Sequence, residues 1–156
     1  MNLLRRKLVK SAVFVGTTAS LVGTGVLLPQ QVLGAYATDA FAARDVDGAL
    51  SGSLGSAEHS ASDSVKLKAP DIAENGAVVP ITLSASMDNV DAISIVVVAN
   101  PGPLTSTYML SSSSVPFVST RVKMAKTSDV IGVVKANGKL YSATKEVKVT
   151  IGGCGG

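Results

Sequence analysis

From residue 65 onward, apolar and β-branched residues recur at alternate positions in short runs, and turn signals close each run. This pattern limits the possible folds more than any other feature of the chain. A strand sends successive side chains to opposite faces, so a period of two marks one buried and one wetted face. Val65, Lys66, Leu67 and Lys68 alternate in this way. Pro70 with Asp71, and Glu74 with Asn75 and Gly76, are turn signals, and a second strand is expected over 78–83. Asn89 and Asp91 border the run 93–98, which is apolar enough for a central strand. The segment 100–103 contains Pro101 and Pro103 and must turn, because proline fixes φ and lacks an N–H.

Further along, a short strand is expected over 107–110, a polar loop over 111–114 and a strand over 117–124. Strands over 130–135 and 140–143 flank Asn137 and Gly138, a pair that favours a type I′ hairpin. A last strand is expected over 147–151. Strands this short and regularly punctuated predict a mainly β fold, a single immunoglobulin-like antiparallel β-sandwich. The chain has no tryptophan and one cysteine, so Val, Ile and Leu must supply the core without a disulfide.

The residues before the strands read differently. Ala40, Phe41, Ala43, Val46, Ala49 and Leu50 share one face of a helix expected over 38–50, with Asp39 as its cap and Gly52 beyond its end. The Ser-, Gly- and Ala-rich stretch 52–64 reads as a linker. His59 lies in it, without a second His or Cys nearby to complete a metal site, and reads as a solvated loop residue. No metal site is expected. The expected organisation is a leader over 1–37, helix and linker over 38–64, sandwich over 65–151 and a glycine-rich arm over 152–156.

The leader carries Arg5, Arg6, Lys7 and Lys10, then an apolar and small-residue run, then Ala35, Tyr36 and Ala37 as an A-x-A cleavage signal. The paired arginines resemble a twin-arginine export signal, which implies a periplasmic protein cut after Ala37. The alternative is an uncleaved anchor, but the run from 11 to 28 is diluted by three glycines and is barely long enough to span. Cleavage leaves 119 of the 156 residues, enough for one domain. Four of the 14 basic residues lie in the leader, so the remainder carries ten against 11 acidic ones. That near-neutral balance, with no basic patch, argues against nucleic acid and against an anionic membrane surface as partner.

The tail reads Gly152, Gly153, Cys154, Gly155, Gly156, and Cys154 is the only thiol. Glycine supplies no side chain to bury a cysteine, so the sulfur is expected at the surface on a loose arm. Exported proteins usually carry paired cysteines, and an odd one points to an intermolecular bond or a reactive thiol. A nucleophilic enzyme would need a base within reach, and the lone His59 has no sequence reason to meet the tail. An ordinary thiol is on the order of a few per cent thiolate near neutrality, enough to be modified by another enzyme. The acidic residues fall mostly at turns or on the helix and read as solvating. Extended from Gly152 to Cys154, the arm reaches roughly 10 Å, and its lack of other side chains suits a narrow channel. No catalytic residue and no cofactor are expected.

These features resemble the SoxY family, sulfur-carrier subunits of the SoxYZ complex in thiosulfate oxidation. The likeness rests on the leader, the helix near 40–50, the segment from Ala69 to Pro80 and the terminal glycines around Cys154. It implies that Cys154 is the site of covalent sulfur attachment, with Gly152, Gly153, Gly155 and Gly156 as the carrier arm. It further implies a SoxZ-like subunit in a heterodimer or heterotetramer, a SoxAX-type c-type cytochrome that joins thiosulfate to the thiol, and a SoxB-type hydrolase that releases sulfate. A sulfane dehydrogenase is a possible further partner. The residues alone leave three other readings: a β-domain dimerising through a Cys154 disulfide, a carrier using its terminal Gly-Gly carboxylate, and a small redox enzyme. Phe41, Val46 and Leu50 are candidates for a partner surface, although packing on their own sandwich explains them as well.

Overall fold

The computed structural model describes residues 37–152. The expected leader, apart from Ala37, lies outside the described residues, as do Gly153, Cys154, Gly155 and Gly156. Among the described residues two helices, α1 (Thr38–Ala42) and α2 (Val46–Leu54), precede nine strands. These are β1 (Ser60–Ala61), β2 (Val65–Lys68), β3 (Ile72–Ala73), β4 (Val79–Ala85), β5 (Val90–Val97), β6 (Leu104–Met109), β7 (Phe117–Val122), β8 (Ser128–Ala136) and β9 (Lys139–Val149). A 3-10 turn, Gly76–Val78, leads into β4.

The strands form two sheets, one ordered β1-β9-β8-β5-β6 with β3 also on β9, the other β2-β4-β7. The fold is the expected mainly β sandwich. Its pairings are antiparallel except where the two-residue strands β1 and β3 run parallel to β9. β5 shows why the 93–98 run lacks alternation. Ile93, Ile95 and Val97 enter the core between the sheets, while Ala92 and Val96 enter a second core under the helices. Each such side chain, when fully buried, stabilises the fold by about 1.5–3 kcal/mol. At the centre of β8, Gly132 makes room for Leu83, whose methyl groups fill the space a Cβ would take.

The helical segment is broken where a single helix is expected over 38–50. Ala43 leaves α1 in an extended conformation, and Asp45 starts α2 by accepting the Gly48 N–H at 2.7 Å. Asp39, expected as the cap, makes no side-chain capping bond; the N-cap of α1 is Ala37, whose carbonyl accepts from Phe41 N at 3.1 Å. The apolar stripe continues across the break, so both helices lie on the same sheet face. Gly52, expected beyond the helix, sits inside α2, where a Cβ would come within 2.9 Å of Ala40. Phe41, Val46 and Leu50 all pack into this helix-side core.

Several strand limits differ from expectation. β6 begins at Leu104, and the segments read as separate strands over 140–143 and 147–151 fall on one strand, β9, which stops at Val149 and leaves Thr150 and Ile151 beyond it. Its middle, Thr144, Lys145 and Glu146, has no apolar signal, but its backbone pairs opposite Ile131, Val130 and Asp129 of β8. The expected hairpin holds, with Asn137 at φ 51° and Gly138 at φ 73°. The stretch read as a linker contains the end of α2 and all of β1. Among the described residues, no helix is long and apolar enough to cross a membrane.

Candidate functional site

β9 ends four residues before Gly153, and the chain leaves the sandwich through a series of long-range bonds. Lys145 Nζ donates to the Ala69 carbonyl at 2.6 Å and pairs with Asp71 at 2.9 Å. The Asp71 carbonyl accepts from Lys148 N at 3.0 Å, and that of Ala73 from Thr150 N at 3.1 Å. Thr150 Oγ1 donates to the Glu74 carbonyl at 3.0 Å. Gly76 N donates to the Ile151 carbonyl at 2.8 Å, and the Gly76 carbonyl accepts from Met124 N at 2.7 Å. From the other side, Thr127 Oγ1 accepts from Val149 N at 3.0 Å. The Ala69 to Gly76 segment thus runs alongside the end of β9 and fixes its direction.

Gly152 is the one expected arm residue among those described. It lies so close to the Ala125 carbonyl oxygen that a Cβ would overlap it. It therefore serves close backbone approach, where the sequence suggested loose tether. Nothing in the residues near 152 signals this, because the contact comes from a segment 27 positions earlier. Ile72, Val78 and Ile151 are exposed around this exit, at 59%, 53% and 70%. Each lies near a backbone pairing at this exit: Ile72 pairs with Lys148, and Gly76, two residues before Val78, bonds to Ile151.

His59 is not the solvated residue expected. It is half-buried, and its Nδ1 lies 2.9 Å from Oγ of Ser142, itself only 3% exposed. The bond docks the segment before β1 onto β9, a structural role. Among the described residues, no group of three His, Cys, Asp or Glu side chains is arranged to hold a metal. Asp45 and Asp71 have the local tasks already given, a helix cap and an ion pair.

A family model described as "Sulfur oxidation protein SoxY" matches residues 51–154, so the match extends to Cys154 itself. Among solved structures, the sulfur carrier protein SoxY from Chlorobium limicola f thiosulfatophilum is 43% identical to this chain. The likeness covers 70% of this chain and 96% of that one, with a TM-score of 0.62. A superoxide reductase (neelaredoxin) from Ignicoccus hospitalis is 17% identical over 55% of this chain and 80% of its own. Its TM-score is 0.49, too low a likeness to carry weight. No match was found among curated proteins. A family match over two thirds of the chain, joined to a shared sandwich, leads to one conclusion: the chain belongs to the SoxY family of sulfur oxidation proteins.

Proposed function

We propose that this protein is a sulfur carrier that holds the intermediates of thiosulfate oxidation covalently on Cys154 and presents them to other enzymes. Membership of the SoxY family supports a carrier role in sulfur oxidation, distinct from catalysis. The observation that carries the finer reading is the anchored exit of β9. The chain is bonded as far as Ile151, and only Gly152 and Gly153 separate that point from the thiol. Extended, the three residues from Gly152 to Cys154 carry the thiol at most roughly 10 Å beyond Ile151. Any enzyme acting on the sulfur must therefore come close to the sandwich, beside Ile72, Val78 and Ile151.

The chemistry follows from a thiol with no base of its own. An oxidising partner, a SoxAX-type c-type cytochrome, removes two electrons as the Cys154 sulfur bonds to the outer sulfur of thiosulfate. One proton is released and an S-thiosulfonate remains. A SoxB-type hydrolase adds water to the terminal sulfonyl group, breaking the S–S bond to give sulfate and a cysteine persulfide. Where a sulfane dehydrogenase is present, it removes six electrons from the outer sulfur as three waters add, giving a cysteine S-sulfonate. A second hydrolysis by the SoxB-type enzyme then breaks the S–S bond to release sulfate and return the thiol. A SoxZ-like subunit completes the carrier, which works in the periplasm after export by the twin-arginine route. The carrier itself needs no cofactor, and its cargo is sulfur.

Intact-mass analysis of protein from thiosulfate-grown cells tests this reading. Adducts of one or more sulfur atoms are expected on the C-terminal peptide, removed by reductant and absent in Cys154→Ser. An unmodified thiol, or a reducible homodimer without adducts, overturns it.

A further inference from the structure

The edges of the two sheets leave an opening that the anchorage of β9 does not use. β6 ends one sheet and β7 the other, and a cleft of about 420 Å³ lies between them. Thr105, Ser106 and Tyr108 line it from β6; Thr120, Arg121 and Lys123 line it from the β7 side.

Three features of this cleft suit an anion. Arg121 and Lys123 are exposed, their side chains make no ion pair or hydrogen bond to any described residue, and no lining residue is acidic. Ser106 Oγ is buried without a hydrogen-bond partner. Buried hydroxyls nearly always have one, so this atom is a donor awaiting an acceptor. A β-bulge also falls here: Ile95 pairs with Ser106 and Val96 with Leu104, leaving Thr105 as the extra residue. Bulges re-aim side chains and recur beside functional sites. The Thr105 hydroxyl turns back to donate to the Ile95 carbonyl at 2.8 Å, which leaves Ser106 to the cleft.

The cleft is also coupled to the exit of β9. Asn100, 7% exposed, donates through Nδ2 to the Lys123 carbonyl at 2.7 Å and accepts the Ala125 N–H at 3.0 Å. The same Ala125 abuts Gly152 through its carbonyl. One short, rigidly held segment therefore contributes a cation to the cleft and a wall to the exit.

We infer that this cleft binds the tetrahedral, negatively charged terminus of a sulfur oxyanion, free in solution or carried on the protein's own thiol. Two cations and a buried hydroxyl give charge-assisted hydrogen bonds, the strong kind. The volume leaves space for several waters of about 30 Å³ each beside the anion. The choice of sulfur among oxyanions rests on the carrier reading, whereas the anion site does not.

Calorimetry on full-length Cys154→Ser, which cannot be loaded, tests the site with sodium thiosulfate and sodium sulfate at constant ionic strength. Saturable binding is expected, weakened about tenfold by Arg121→Gln or Lys123→Gln. Lys66→Gln, on the opposite edge of the smaller sheet, leaves it unchanged. Ser106→Ala weakens binding while keeping or raising stability, since it removes an unsatisfied buried group. No saturable binding, or equal binding in all variants, overturns the inference. Such binding together with a persistently unmodified Cys154 keeps the cleft and sinks the carrier reading.

Amide shifts of Thr105 and Ser106 identify the source. Tetrathionate loads the wild-type thiol: the thiolate attacks an inner sulfur, thiosulfate leaves, and Cys154 retains an S–S–SO3⁻ group. Shifts after desalting assign the ligand to the protein's own cargo. Shifts only with added thiosulfate assign it to free anion, and shifts in neither case overturn the inference.

Discussion

The Gly76 N–H donates to the Ile151 carbonyl across 2.8 Å, joining residues 75 positions apart at the point where the chain leaves the sandwich. The Gly76 carbonyl also accepts from Met124 N, so one buried residue bridges the end of β9 and the segment after β7. A carrier with a short arm gains from this arrangement. On the carrier reading proposed above, the less the base of the arm wanders, the less freedom a partner enzyme must remove when it takes hold of the thiol.

The rung beside this bond gives the first prediction. Thr150→Val keeps the shape of the side chain but removes the hydroxyl that donates to Glu74. A net loss of about 1 kcal/mol is expected in urea denaturation. Hydrogen exchange at Val149 and Thr150 should quicken while the centre of β8 stays protected. Unchanged exchange at both amides would mean that the rung does not hold the exit.

The helical pair sets propensity against packing. Alanine is favoured over glycine inside a helix by about 1 kcal/mol, so Gly52→Ala should stabilise α2 in isolation. In the protein, the new methyl would meet Ala40 at 2.9 Å, closer than carbon atoms pack. We expect Gly52→Ala to lower stability and to loosen α1, seen as faster proteolysis near residue 42. A gain in stability would show that α1 yields without cost.

The core offers a paired test. A Cβ at Gly132 would overlap the Leu83 methyl groups, so Gly132→Ala overpacks the sandwich, at a cost of about 1–3 kcal/mol. Leu83→Val opens space at the same place. In a double-mutant cycle the two changes should offset each other, with a coupling energy of about 1 kcal/mol or more. Strict additivity would mean that the glycine is needed for its backbone alone.

The sequence carried the local parts of this structure and missed the long-range ones. The hairpin at Asn137 and Gly138 is set by two residues that accept positive φ, and it formed where read. The two-sided burial of β5 is visible as an apolar run over 93–98 interrupted only by Ser94. His59 reads as a loop residue because its partner, Ser142, lies 83 positions away. The break between α1 and α2 leaves only a weak trace, Asp45 placed three residues before Gly48, because the apolar stripe passes through it. At the exit, Cys154 and its glycines stand out from composition alone. The clamp from Ala69 to Gly76 does not, since backbone donors and acceptors look alike in every sequence.

The glycines at the exit separate support from delivery. Gly152→Val places a side chain against the Ala125 carbonyl, so it should lower thermal stability and disturb the amides of Met124 and Ala125. Gly153→Val lies beyond the last described contact, and on the carrier reading it should leave the melting temperature within about 1 °C of the parent. Its effect should fall on turnover, because a β-branched neighbour widens and stiffens the segment next to Cys154. Thiosulfate oxidation reconstituted with the partner enzymes should slow about tenfold or more for Gly153→Val, a loss of roughly 1.4 kcal/mol of transition-state stabilisation. Normal turnover by that variant would remove the argument for a narrow channel, and a matching fall in stability would place Gly153 in the fold with Gly152.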